Sequence, residues 1–253
     1  MAREENLKEP VGGHAELPGY RRRIRIVPEP GSVVALLEDD IHSMAVRLRH
    51  DGTRVLAVEP VLDRMPWTTC PGAAAVLEDT FTGVLLTEVT ARKDRKANCT
   101  HLHDLAVLAA RHTDCGVEVR FDIAASDPLE GRRELSLERD GRPLLHWIEL
   151  NGELVSPPEV AGCSLLTMRD RIAALPPEEA EAAKLLQWAS IVAHGRTMPL
   201  EAQSDASRIP PNCYTFQPER AATAQRVGAV LDFSAGGAPP GERLRRQLGL
   251  TAC

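Results

Sequence analysis

The chain is predicted to adopt an α+β fold, with antiparallel strands in two meander hairpins and helices packed against them. Three observations lead to this class. Apolar and polar residues alternate in runs of strand length. Two pairs of such runs flank Asp-Gly turns, in His50-Asp51-Gly52-Thr53 and at Asp140-Gly141. Helix-forming segments then follow each set of strands.

In chain order, residues 1–19 are polar and rich in Gly and Pro, and read as a mobile arm. Residues 20–27 alternate as a strand; their arginines, Arg21-Arg22-Arg23 and Arg25, suit an edge strand better than a phosphate-binding patch. Residues 32–38 form an apolar strand, and 44–49 with 54–61 make the first Asp-Gly hairpin. A helix to about residue 80 follows Pro71-Gly72, and a clearer helix spans about 100–112. The chain then starts again. Residues 116–124 alternate, 133–139 and 142–150 flank Asp140-Gly141, and helices follow near 163–175 and 178–194, separated by Pro176-Pro177. A short helix to about residue 231 and a Gly/Pro-rich tail, 234–253, close the chain.

Aligned side by side, the two halves suggest a duplicated βββαα unit. Residues 20–233 then form one domain, with repeats 20–115 and 116–196 and a C-terminal segment 207–233. Two polar runs of the first half, Trp67-Thr68-Thr69-Cys70-Pro71-Gly72 and Cys99-Thr100-His101-Leu102-His103-Asp104, have no counterpart in the second. A purely structural requirement would fall on both copies, so the difference favours function.

Composition narrows the classes. The chain has 253 residues, 43% apolar and 26% charged, as in ordinary globular proteins. A net charge of −6 argues against nucleic-acid binding. No stretch reaches the ~20 apolar residues that span a bilayer, and the charged N-terminus lacks the apolar core of a signal peptide. Six irregularly spaced cysteines read as reduced thiols, so a cytoplasmic location is expected. GxGxxG, Walker A, GxSxG, HExxH and CxxC signatures are missing, and no cofactor is expected.

Both polar runs open helices, where unpaired N–H groups favour thiolates, oxyanions and neutral imidazole. Cys70 is a candidate nucleophile, with a buried structural thiol as the alternative. Thr69, Thr100 and Asp104 are candidates that helix capping also explains, and Pro71 fits the first helical position. His101 sits at the edge of an apolar stripe and is the best candidate acid or base, with Asp104 and Thr69 orienting it or the substrate. His103 points nearly the opposite way, toward solvent, so the two cannot share one small site. His42 either faces the cluster or is a solvated turn residue. Arg47, on one strand face with Arg49, faces solvent or binds a carboxylate. Trp67, Thr68, Thr100 and Tyr214 complete the candidate binding set, and the few aromatics, Trp147, Trp188 and Phe216 among them, are candidates to line an apolar pocket. A metal would need Cys70, Cys99 and His101, perhaps with His42, although their spacing lacks the usual paired ligands.

PGYRRRIRI, DDIHSMAVRLRHDG, PWTTCPGA and CTHLHDLAVLAARH together resemble a bacterial family known as domain of unknown function 2889, over about residues 18–233. The resemblance implies an association with the breakdown of aromatic compounds, including lignin-derived dimers, and of steroids or acyl-CoA compounds. It suits a small cofactor-independent enzyme for an apolar phenolic substrate, such as a γ-formaldehyde lyase acting on a phenylcoumaran-type dimer. Where the family leads one to expect a cysteine in the long second-half helix, this chain has Trp188-Ala189-Ser190.

The expected function is a lyase or isomerase acting by proton transfer on a small apolar or aromatic ligand, with no nucleic-acid or membrane partner. Helix N–H groups near Cys70 and Thr100 would stabilise an anionic oxygen. The alternatives are a non-catalytic ligand-binding or assembly module, homo-oligomeric forms included, and a Cys/His metal-site protein.

Overall fold

The computed structural model describes residues 17–92, 94–198 and 204–250. Eight antiparallel strands form one sheet: β1 (Gly19–Glu29), β2 (Ser32–Asp39), β3 (Ser43–His50), β4 (Val55–Arg64), β5 (Val119–Ser126), β6 (Arg132–Arg139), β7 (Arg142–Leu150) and β8 (Glu153–Ser156). Their order is β4-β3-β2-β1-β5-β6-β7-β8. The described helices are α1 (Ala73–Phe81), entered by a 3₁₀ turn at Cys70–Gly72, α2 (Leu86–Val89), α3 (Thr100–Arg111), α4 (Arg169–Ala173), α5 (Pro177–Thr197), α6 (Pro218–Ala221) and α7 (Glu242–Gln247). The fold is α+β, as the alternating runs and Asp-Gly turns indicate. Among the described residues, no helix is long and apolar enough to cross a membrane.

The arginine-rich strand lies at the centre of the sheet rather than at its edge. β1 pairs with β2 on one side and β5 on the other. Period-two alternation explains how a charged strand fits there. Tyr20, Ile24 and Ile26 enter the main core, which holds α1, α3 and α5, while Val27 enters a smaller core on the opposite face. Arg22 shares the first set's parity and is buried beneath the helices. Arg23 and Arg25 face the other way and pair with Asp122, Glu118 and Glu242. Each of these three arginines has a carboxylate, which offsets the cost of burying its charge.

β2 is buried along its whole length because both its faces are covered. Val33, Ala35 and Leu37 join the main core, and Val34 and Leu36 the smaller one. Asp39 continues the first set and lies directly across from Arg22 in the ladder. The Gly/Pro-rich tail supplies the cover on the far face. Leu244 and Leu250 pack there, Gly241 N–H donates to Glu38 at 2.5 Å, and Glu242 meets Arg23 and Arg25. Six helical residues are too few for their periodicity to stand out in sequence.

Strand order is symmetric about the β1–β5 pair, so each half contributes four strands rather than three. Under this symmetry β3–β4 corresponds to β7–β8, and Asp51-Gly52 matches Asn151-Gly152, not Asp140-Gly141. The side-by-side alignment is therefore out by one strand. The β2–β3 turn, Asp40–His42, corresponds to the tight Asp140-Gly141 hairpin. The second turn holds only Asp140 and Gly141, where the first holds Asp40, Ile41 and His42.

Helix boundaries also differ from the periodic pattern. Only Arg169–Ala173 is α-helical in the 163–175 region, and only Pro218–Ala221 in the stretch to residue 231. The proposed N-terminal arm lies mostly outside the described residues.

Candidate functional site

The two polar runs lead to different places. Thr69 and Thr100 make no side-chain cap; Thr69 Oγ1 instead donates to Thr215 Oγ1 at 3.1 Å, and Cys99 is the N-cap of α3. Cys70 Sγ lies 3.4 Å from Thr215 Oγ1, and Tyr214 N–H donates to Asn98 O at 2.8 Å. Residues 213–215 therefore bridge the starts of α1 and α3. Burial raises the Cys70 and Cys213 thiols and pushes Cys99 up to about 12, so these thiols stay protonated at neutral pH. Trp67 packs edge-on against Phe216, and Thr68 Oγ1 accepts from Gln225 N–H. A Cβ at Gly72 would overlap the Tyr214 hydroxyl. Gly72→Ala is thus expected to destabilise the protein by about 1–3 kcal/mol, and Tyr214→Phe to restore most of that loss; urea unfolding of the single and double variants measures both.

His101 and His103 face apart, as helix geometry requires, but both are buried. His103 lies against Phe81, ring centroids 5.1 Å apart, because α3 is covered by α1 and α2 on the side that the pattern leaves to solvent. Asp104 accepts a two-pronged contact from Arg95; burial opposes ionisation, yet the nearby His103 ring and Arg95 hold its carboxyl down to about 2. Among the described residues its partners are Arg95 and His103, not His101. Arg47 lies on the far strand face, paired with Glu29 and near Glu59.

His101 instead meets residues from β1, the β2–β3 turn and α5. Its ring stacks on His42 with centroids 3.9 Å apart and planes 28° apart, and lies 4.9 Å from Trp188. Beneath them Asp39 is a hub. Its Oδ2 accepts from the Tyr20 hydroxyl at 2.6 Å and from Arg22 Nε and Nη2 at 3.0 and 2.7 Å. Its Oδ1 accepts from the backbone N–H of Ile41 and of His42, both at 2.7 Å, and from His42 Nδ1 at 3.1 Å. The two backbone bonds curl the turn so that the His42 side chain folds back over Asp39. Burial alone would raise the Asp39 carboxyl, but His42 and Arg22 hold it well below the usual range.

This network sets both tautomers. A carboxylate only accepts, so neutral His42 carries its proton on Nδ1 and its lone pair on Nε2. Among the described residues Nε2 has no hydrogen-bond partner. Arg22 only donates, and its Nη2 lies 3.3 Å from His101 Nε2, so neutral His101 is protonated on Nδ1. Burial first, then the neighbouring His42 ring and the Arg22 charge, hold the His101 imidazolium form well below 6.5.

That depression has a measurable sign. Below the ordinary value of 6.5 the unfolded chain takes up a proton that folded His101 refuses, so stability falls as pH drops, by up to about 1.4 kcal/mol per unit. Burial lifts Asp40 from 3.8 to about 6, which acts oppositely across that interval. His101→Gln removes only the first effect. Its stability relative to the unmodified chain is expected to improve between about pH 7 and 5, as read from urea midpoints.

Asp39, His42 and His101 each place one ligand atom within 4.8 Å of the others. The geometry nonetheless suits a guanidinium better than a metal. Asp39 already receives six donor contacts, Arg22 lies between its Oδ2 and His101 Nε2, and stacked rings direct their in-plane lone pairs side by side rather than at one point. Cys70 and Cys99 form no such group with a histidine among the described residues.

Arg22 and Asp39 are the site members that sequence reasoning passed over; Trp188 is among its pocket-lining aromatics, without a link to His101. The parity Tyr20-Arg22-Ile24-Ile26 was the available signal for the first, and Val33-Ala35-Leu37-Asp39 for the second. Trp188 comes from the other half of the chain, and no local pattern links it to His101. No curated protein matches the chain significantly. The model of the family described as protein of unknown function (DUF2889) matches residues 29–113, about a third of the chain rather than nearly all of it, and this segment, with Asp39, His42, His101 and both polar runs, carries the resemblance to that family.

Proposed function

We propose that this protein is a cofactor-independent acid–base enzyme, a lyase or isomerase that moves a proton on a small apolar or aromatic substrate. The observation that supports this reading is the Asp39–His42 pair at 3.1 Å, in which Nδ1 faces the carboxylate and Nε2 has no hydrogen-bond partner among the described residues. Asp39 orients the ring and stabilises the imidazolium formed when Nε2 takes a proton, the role a buried carboxylate has behind a catalytic histidine. His101 is a poor base here, because Arg22 occupies Nε2 and burial resists its charging. It acts as a neutral wall of the site, continued by Trp188. The base assignment thus passes from His101 to its stacking partner.

A γ-formaldehyde lyase acting on a lignin-derived dimer is one reaction within this class. Its base would take the proton of a hydroxymethyl group; the carbon–carbon bond then breaks, formaldehyde leaves, and the electron pair passes to the remaining fragment.

The test is incubation in D₂O with a panel of aryl ketones and hydroxymethyl-substituted aryl dimers, read by NMR for deuterium entering carbon and for released formaldehyde. Turnover of one class is expected. Ligand-induced thermal stabilisation without exchange or release from any member would favour the non-catalytic binding module instead.

A further inference from the structure

We propose that Arg22 Nη1 is the oxyanion donor of this site, and that the substrate presents a carbonyl or phenolic oxygen attached to a flat ring. The proposal rests on the acid–base reading above, because it concerns the charge created when His42 withdraws a proton.

The guanidinium is used unevenly. Nε and Nη2 engage Asp39, and Nη2 also reaches His101. Nη1 is buried and has no acceptor among the described residues. Buried charged donors are seldom left so, since an unmade hydrogen bond from a charged group is costly. An acceptor supplied by a ligand resolves that cost.

The surroundings indicate the ligand's shape. The Arg22 Cζ lies 4.4 Å from the Trp188 ring centre and 5.5 Å from that of Tyr20. His42, His101 and Trp188 keep 7–8% of their surface exposed, whereas Arg22 keeps 1% and Asp39 none. The three rings are thus the more exposed members of the cluster and the guanidinium the more deeply buried one. A flat ring suits the aromatic wall, and an oxygen on that ring suits the donor behind it.

The charge of the donor indicates the chemistry. A hydrogen bond from a guanidinium strengthens as its acceptor oxygen becomes negative, so Nη1 gains most when the carbonyl turns into an enolate. Such a donor favours the transition state over the bound substrate. His42 Nε2 takes the proton from the carbon next to the carbonyl. The electrons of that C–H bond form a C=C bond, the carbonyl π pair moves to oxygen, and Nη1–H donates to the resulting enolate. Return of the proton at another carbon completes an isomerisation, and expulsion of a leaving group completes an elimination.

The test uses p-nitrophenol, whose anion mimics an enolate and absorbs visible light, titrated into the full-length protein across pH. The bound anion is expected to be favoured over the bound phenol by about tenfold or more, lowering the apparent pKa of the probe by about one unit. The shift should persist in His42→Gln, which cannot generate it by proton transfer. Trp188→Leu should weaken both forms of the probe while preserving the shift. An unchanged or raised probe pKa, no binding at about 10 mM, or an affinity indifferent to Trp188→Leu would overturn the proposal. The comparison uses the unmodified chain, so it stands even if Arg22 variants fail to fold. A shift without any His42-dependent turnover would retire the base and keep the donor; turnover without a shift would do the reverse.

Discussion

Replacing His42 by glutamine is expected to slow proton transfer by about 10²–10⁴-fold, the usual contribution of a general acid or base. Glutamine preserves a donor toward Asp39 but has no nitrogen lone pair to take a proton. The loss should appear in kcat more than in KM, because the base acts on the transition state. His101→Gln makes the decisive comparison. Its ring packs against His42 and Trp188 but has its acceptor nitrogen committed to Arg22. That variant should lose less than about tenfold, well short of a general base's contribution. Parallel kinetics on both variants check the assignment, and circular dichroism confirms that both fold.

Asp39→Ala is expected to cost the most stability of any single change. It leaves the Arg22 charge buried without a partner, which by itself costs about 3–5 kcal/mol. It also strips the acceptor from the Tyr20 hydroxyl and from the Ile41 and His42 amides. Domains of ordinary stability, roughly 5–15 kcal/mol, would survive poorly, so the variant should melt far below the unmodified chain or accumulate unfolded. Asp39→Asn retains one carbonyl oxygen and should cost less. Its amide can donate to His42 Nδ1, however, which favours the wrong tautomer and should abolish activity in a protein that still folds. Thermal melts of both variants, with activity measured on the second, separate the structural role of Asp39 from its orienting role.

All the strands but the short β8 were legible because half-buried strands alternate, and Asp-Gly turns announced two of the hairpins. α3 was legible from its apolar stripe. The centrality of β1 was hidden: arginines on both parities mask which face is apolar, and only the cross-strand carboxylate at Asp39 makes the inward one tolerable. Asp39 itself was concealed in Glu38-Asp39-Asp40, which resembles a solvated turn although all three residues are buried. Of the polar runs, only His101 reaches the cluster. Thr69, Cys70 and Tyr214 instead secure the C-terminal segment against two helix starts. His42 was ambiguous in sequence because its orientation depends on backbone bonds to Asp39, which no spacing rule reports.

The central claim is that Asp39 and Arg22 divide two stacked imidazoles into one free base and one neutral spectator. Long-range ¹H–¹⁵N NMR of the histidine side chains tests it without a substrate. The expected spectrum has both His42 and His101 protonated on Nδ1 at neutral pH, with His101 remaining neutral as pH falls through 6.5. A His42 ring protonated on Nε2 in its neutral form, or a His101 ring that titrates near 6.5, would contradict the account.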